Sequence, residues 1–310
     1  MKNTANILAI LQMSEEKVNI HCMKYQAGSH VPFTGTITSS IMFGIQNGMN
    51  TIQFFMGNPK KYNRTIISEE DLETSKKILK KFPINVFTHF PYSANFAGSV
   101  KDGLAWNNNP QIDYSMGIKI KGVEYELKTL SSLGMKNTGV IIHPGSFPNR
   151  EEGHKTVSKS INKINFPKDG SKLLLENCAG EGTKLCKTFT EIKKVLDLVD
   201  DDKKDSVGVC VDTAHIWGAG TYDLSKIEGV KKMFEDFESI IGIEKFKLLH
   251  LNDSKASFGS KKDLHQLIGQ GQIWGKNIEP LRFLLHKCEE NNIPILLETT
   301  PSDVYVIAKI

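Results

Sequence analysis

A chain of 310 residues, 39% apolar and 24% charged, has a globular balance and is long enough for one large α/β domain or two ordinary ones. No apolar run approaches the ~18 residues of a membrane-spanning helix, and a net charge of +4 lacks the strong basicity of a dedicated nucleic-acid binder. Five scattered cysteines (Cys22, Cys178, Cys186, Cys210, Cys288) form no Cys-x-x-Cys pair, which argues against a disulfide frame or a thiolate zinc site and for a reducing compartment.

The N-terminal "MKNTANILAILQMSEEKVN" holds an apolar patch of about eight residues and no small-residue cleavage site, so it does not read as a signal peptide. Residues 1–24 read as an extension and 25–310 as one domain, with no repeat, linker or low-complexity tract between. Eight apolar runs then follow in order: "YQAGSHV" (25–31), "TIQFFM" (51–56), "INVFTH" (84–89), "TGVIIH" (138–143), "KLLLEN" (172–177), "VGVCVD" (207–212), "FKLLHLN" (246–252) and "IPILLET" (293–299). Their length and their lack of polar alternation predict fully buried strands. Helical spacing appears between them at 69–82, 115–134, 189–199 and 278–292.

Strands alternating with helices predict a (β/α)8 TIM barrel. An open doubly wound sheet usually carries a glycine-rich nucleotide fingerprint after its first strand, and none is present. About eleven residues follow the last strand, too few for a full eighth helix, so a shortened C-terminal helix is expected.

The chemistry lies at the strand ends. The third strand ends in His89, the fourth in His143, the fifth in Glu176 and the sixth in Asp212, with His215 three residues on. The seventh ends in His250 and the eighth in Glu298. Barrel strands are parallel, so these ends share the rim where barrel enzymes build active sites. One such histidine is weak evidence; six successive strand ends are not. The segment "HLNDSKASFGSKKDLH" (250–265) leaves the rim and returns with Asp263 and His265, whose side chains point the same way if the Asp-x-His is extended. Imidazole and carboxylate without sulfur suit zinc and tolerate manganese or iron. Nine ligands exceed the need of one ion and suggest two or three, with Glu176 central enough in strand order to bridge. His30, at the end of the first strand, reads as a supporting group; His21, His154 and His286 read as structural.

In "AGSHV", "FFMGNPKKY", "THFPYSANFAG", "IIHPGS", "LLENCAGEG", "VGVCVDTAHIWGAGTYD", "LLHLNDSKASFGSKKDLH" and "ILLETT", taken in order, the chain resembles the endonuclease IV family of zinc-dependent apurinic/apyrimidinic (AP) endonucleases. The resemblance implies three Zn2+ ions, with Mn2+ admissible at one site. His89, His143 and Glu176 would hold the first. Glu176, Asp212, His250 and Glu298 would hold the second, and His215, Asp263 and His265 the third. Glu298 and Glu176 would be the catalytic carboxylates. The implied partner is double-stranded DNA with abasic sites or blocked 3′ ends. The implied activity is hydrolysis 5′ to the lesion, leaving a 3′-hydroxyl and a 5′-deoxyribose phosphate, by a monomer with no membrane partner. The implied location is intracellular and reducing: cytoplasm, nucleus, or a virion if the source is viral.

The DNA-binding set would be Asn58, Lys60, Lys61, Tyr62 and Tyr92. Here the chain departs from the family pattern. Lys60 stands where arginine is common, keeping the charge but losing a planar stack, and Ser93 follows Tyr92 where an apolar residue is usual. Only three of the 39 basic residues are arginine (Arg64, Arg150, Arg282), so phosphate contacts fall to lysine, backbone N–H and hydroxyl groups. Two rivals stand beside this reading. A metal-dependent sugar isomerase or epimerase shares the barrel but needs no third site. A non-catalytic binder of damaged DNA would keep metals for structure alone.

Overall fold

The structure is a computed structural model and describes residues 24–98, 110–135, 137–168 and 170–310. The expected extension up to residue 23, with His21 and Cys22, lies outside the described residues. The strands in chain order are β1 (Ala27–His30), β2 (Thr51–Phe54), β3 (Asn85–His89), β4 (Thr138–Ile142), β5 (Lys172–Glu176), β6 (Val207–Asp212), β7 (Phe246–His250), β8 (Asp253–Ser254), β9 (His265–Gln266) and β10 (Ile295–Leu297). All but β8 and β9 close into one barrel in the order β1-β10-β7-β6-β5-β4-β3-β2, every pair parallel. The eight strands and the barrel are those the apolar runs predict. Several strands end a residue or two short of the runs.

Around the barrel lie α1 (Ile37–Gln46), α2 (Glu69–Lys81), α3 (Pro110–Ser132), α4 (Arg150–Asn162), α5 (Phe189–Asp197), α6 (Thr213–Ala219), α7 (Ile227–Ile240), α8 (Glu279–Glu290) and α9 (Val304–Ala308). α2 illustrates the local logic. Ser68 caps it by accepting from the Asp71 N–H, three acids occupy its first turn and Lys80 and Lys81 its last, and Ile78 and Leu79 face inward. β10 is followed by a 3-10 turn (Pro301–Asp303) and the five-residue α9, which buries Val304 and Ile307. A short helix therefore follows the last barrel strand, as expected.

Inside the barrel, Phe87, Ile141, Leu174, Cys210, Leu248 and Leu296 form a separate apolar plug, one residue from each of six strands. Residues two apart on a strand share a face. The same six strands therefore aim His89, His143, Glu176, Asp212, His250 and Glu298 into the interior one layer above the plug. The plug is the floor of the site.

Candidate metal centre at the barrel rim

Glu176 is at the middle of the rim, fully buried. Its Oε2 lies 3.1 Å from His89 Nε2 and 3.6 Å from His143 Nε2. Its Oε1 lies 3.1 Å from His250 Nδ1 and 3.5 Å from His215 Nδ1. One carboxylate thus meets four imidazoles, three from strand ends and one, His215, from the helix that follows β6. The ligand-capable atoms fall into three groups: His89, His143 and Glu176; Glu176, Asp212, His250 and Glu298; and Asp212, His215 and His265.

Asp212 does two jobs because β6 runs straight into α6. Its side chain caps the helix by accepting from the His215 N–H at 2.8 Å, and that turn sets His215 one helical turn from the strand end. Gly220, at φ 72°, ends the helix after seven residues. The hairpin of β8 and β9 pairs Ser254 with His265 and so brings the loop back to the rim. Asp263 gives one oxygen to His215 Nε2 and the other to His265 Nε2, both at 3.1 Å. The third group therefore forms around Asp212 by distance, with Asp263 bound to both of its imidazoles.

Burial opposes charge on every one of these groups, and proximity opposes burial. Burial disfavours the charged forms of His89, His215 and His250, yet neighbouring carboxylates raise all three above the ordinary histidine value. His265 is likewise lifted, to about 9, by Asp212, Asp263 and Glu298 against its burial. His143 is the exception, since burial carries it down to about 4. Burial raises Asp212, whereas contact with imidazoles holds Glu298 down at about 2 against its burial. The nearby thiols stay protonated, since burial pushes Cys178 up to about 11 and Cys210 to about 12.

The donor set fits divalent cations. Four carboxylates meet in a mostly buried space, and Glu176, Asp212 and Glu298 find imidazoles, amides and backbone N–H groups there rather than lysine or arginine. Clustered buried carboxylates without such partners need cations. Two imidazoles are also turned as ligands usually are. His89 Nδ1 sits 2.7 Å from the Phe90 carbonyl and His215 Nδ1 2.9 Å from that of Asn177, which leaves each Nε2 facing the carboxylates.

Three amides support the rim that the strand-end pattern did not single out. Gln53 Nε2 donates to Glu298 Oε1 at 3.0 Å and lies 3.2 Å from His30 Nδ1, while its Oε1 is 2.8 Å from His250 Nε2. Asn252 Nδ2 donates to Asp212 at 2.6 Å and to Glu298 at 3.2 Å. Asn177 Oδ1 accepts from the Asp212 N–H at 2.6 Å. The available signal was a polar residue inside an apolar run, as in "TIQFFM". His30 touches the cluster through Gln53, and burial lowers it to about 4. His154 faces Glu191 and His286 faces Glu290, away from the rim set.

A family model described as a xylose isomerase-like TIM barrel matches residues 45–287. The "Probable endonuclease 4" of Methanosphaera stadtmanae is 31% identical over 283 residues, covering 90% of this chain and 94% of that one. The chain belongs to the endonuclease IV family. "Apurinic-apyrimidinic endonuclease 1" of Saccharomyces cerevisiae is 29% identical over 282 residues, covering 89% of this chain and 71% of that one. The crystal structure of endonuclease IV from Thermus thermophilus matches with a TM-score of 0.73 at 21% identity, over 92% of this chain and 96% of that one, a likeness of fold.

The segments expected to contact DNA follow β2 and β3. After β2, Asn58, Lys60 and Lys61 are exposed. Asn58 Oδ1 accepts from the Lys60 N–H at 2.8 Å and the Asn58 carbonyl from the Lys61 N–H at 3.1 Å, which makes a tight turn with both lysine side chains outward. Tyr62 is half-buried, stacked on Phe90 with centroids 6.5 Å apart, and its hydroxyl donates to the Ser93 carbonyl at 3.0 Å. Tyr92 stands 50% exposed after β3.

Proposed function

We propose that this chain is a DNA-repair nuclease, a hydrolase that cuts the phosphodiester 5′ to abasic sites in duplex DNA and clears blocked 3′ ends. The convergence of four carboxylates and five imidazoles on one rim, in a chain of the endonuclease IV family, supports this reading above any other observation. His89, His143 and Glu176 would hold one ion, and Glu176, Asp212, His250 and Glu298 a second. His215, Asp263 and His265 would hold the third. Zinc suits all three sets and manganese is admissible at one. Such ions supply an activated water and neutralise charge on the phosphate.

The protein's own groups orient and select. Glu298, held by Gln53 and Asn252 and ionised down to about pH 2, orients the attacking water and accepts its hydrogen bond. Glu176, touching four imidazoles, keeps the first two sets in register. Lys60 and Lys61 meet the phosphate backbone, and Asn58, Tyr62 and Tyr92 shape the surface around the displaced nucleotide. An abasic nucleotide has no base to unstack, so displacing it costs less than displacing an intact one, and selectivity follows from that difference. Residues 25–310 act as the enzyme domain, a monomer, with 1–24 an extension. No described helix is long and apolar enough to cross a membrane, and we place the enzyme in a reducing intracellular compartment.

A 5′-labelled abasic duplex tests the reading. One nick immediately 5′ to the lesion, leaving a 3′-hydroxyl, is expected; a chelator should abolish it and added zinc restore it. Bound but uncut DNA would sink it in favour of a binder. Metal analysis giving one or two ions per chain, with epimerisation of a sugar, would favour the isomerase class.

A further inference from the structure

Arg64 is one of three arginines in the chain, and its side chain is 3% exposed beneath the loop after β2. Its Nη1 pairs at 3.1 Å with Oε1 of Glu126, a fully buried side chain on α3 that is 62 residues away in sequence. The rest of the guanidinium is spent on the loop itself. Nε donates to the Tyr62 carbonyl at 3.1 Å, and Nη2 donates to the Asn58 carbonyl at 3.4 Å and to the Lys61 carbonyl. Its Cζ lies 5.1 Å from the centre of the Phe90 ring.

The same face of α3 receives the loop at two further points. Lys119 Nζ sits 5.3 Å from the centre of the Tyr62 ring and donates to the Asn95 carbonyl at 2.9 Å. At Gly122 a Cβ would come within 3.2 Å of the Tyr62 carbonyl oxygen and 3.0 Å of the Phe90 ring. Lys119, Gly122 and Glu126 fall at helical spacing on one stripe. A planar guanidinium with five fixed donors can gather several carbonyls and a carboxylate at once, which an ammonium cannot do in the same geometry.

We propose that the Arg64–Glu126 pair is a positioning device: it clamps the 58–62 turn onto α3 so that Lys60 and Lys61 are presented to the DNA backbone in one conformation. Arg64 touches no substrate; it acts through the lysines. The proposal rests on the endonuclease reading for its substrate, while the clamp itself is a property of the chain.

The test compares R64K, E126Q, the K60A/K61A double variant and R64K in that double-variant background. R64K should raise KM for the abasic duplex about tenfold with kcat near wild type, because uniform binding is lost and the chemistry is not. In the K60A/K61A background, R64K should add less than about twofold, because the two changes remove the same interaction. Full additivity, or a fall in kcat at constant KM, would overturn the proposal. Should R64K fail to fold, E126Q carries the test, read by hydrogen exchange. Backbone amides of Asn58 and of Lys60, Lys61 and Tyr62 should exchange faster in E126Q than in wild type while those of β3 and β5 do not change; unchanged exchange at these positions overturns the clamp. Wild-type protein that leaves the abasic duplex whole refutes the endonuclease reading instead, and the exchange measurement still decides the clamp.

Discussion

Gln53 joins His30, His250 and Glu298 through a single side-chain amide. Removing groups that orient metal ligands costs about 10–100-fold in metal affinity or activity, so Gln53→Ala should lower zinc retention or turnover by that amount while leaving the fold intact by circular dichroism. The imidazoles add a pH dependence. In the metal-free protein His265 stands at about 9 against an ordinary 6.5, so its contribution to stability is full below pH 6.5 and is lost as pH rises through about 9. His89, His215 and His250 are shifted in the same direction. Ions bind the deprotonated ring, so metal affinity should rise across the same interval and binding at neutral pH should release protons. Calorimetry in two buffers of different ionisation enthalpy measures that release, and zero proton release would contradict the assignment. The strand-end carboxylates and imidazoles were legible because each is an ionisable group at the far end of an apolar run. Gln53, Asn177 and Asn252 were not, because an uncharged amide in or beside such a run is only a weak signal until its partners are known.

Among the elements, the β8–β9 hairpin and α6 form one unit. Trp217 Nε1 on α6 donates to the Ala256 carbonyl at 2.8 Å, and its ring meets Phe258 edge-on at 5.0 Å. The Lys261 N–H donates to the Gly218 carbonyl at 2.8 Å and the Gly259 N–H to that of Trp217 at 3.0 Å. The loop carrying Asp263 and His265 is therefore fastened to the helix carrying His215. Trp217→Phe leaves the Ala256 carbonyl without its donor, which should cost about 1–3 kcal/mol in a denaturant titration. The ion proposed for His215, Asp263 and His265 should also be the first lost on dialysis, read by metal analysis. The polar segment 250–265 announced a return to the rim, but not the hairpin that makes it, since the two-residue strands β8 and β9 are too short to leave a periodic trace.

For the whole molecule, the apolar plug couples stability to the site. Leu174 is 1% exposed in the plug, two residues before Glu176 on the same face of β5. Leu174→Ala should destabilise the protein by about 2–5 kcal/mol in urea and lower activity beyond what that loss of folded protein explains, because the floor under Glu176 gives way. Chelation of the native protein should lower Tm by several degrees, and excess zinc should restore it, since ions that bind only the folded state stabilise it. A Tm indifferent to chelator would mean that the rim holds no tightly bound ion.

The amino-acid sequence by itself determined the number and order of the barrel strands, the shared rim and the kind of chemistry placed there, because the two-residue repeat of side chains along a strand and the parallel arrangement of strands are simple rules that convert position in a run into position in space. The tertiary structure alone decided that Glu176 touches four imidazoles, that Asp263 spans His215 and His265, and that Arg64 pairs with Glu126. Those partners lie on different elements, and which one a buried charge finds depends on how the helices and loops close around the barrel, a choice with no trace in local periodicity.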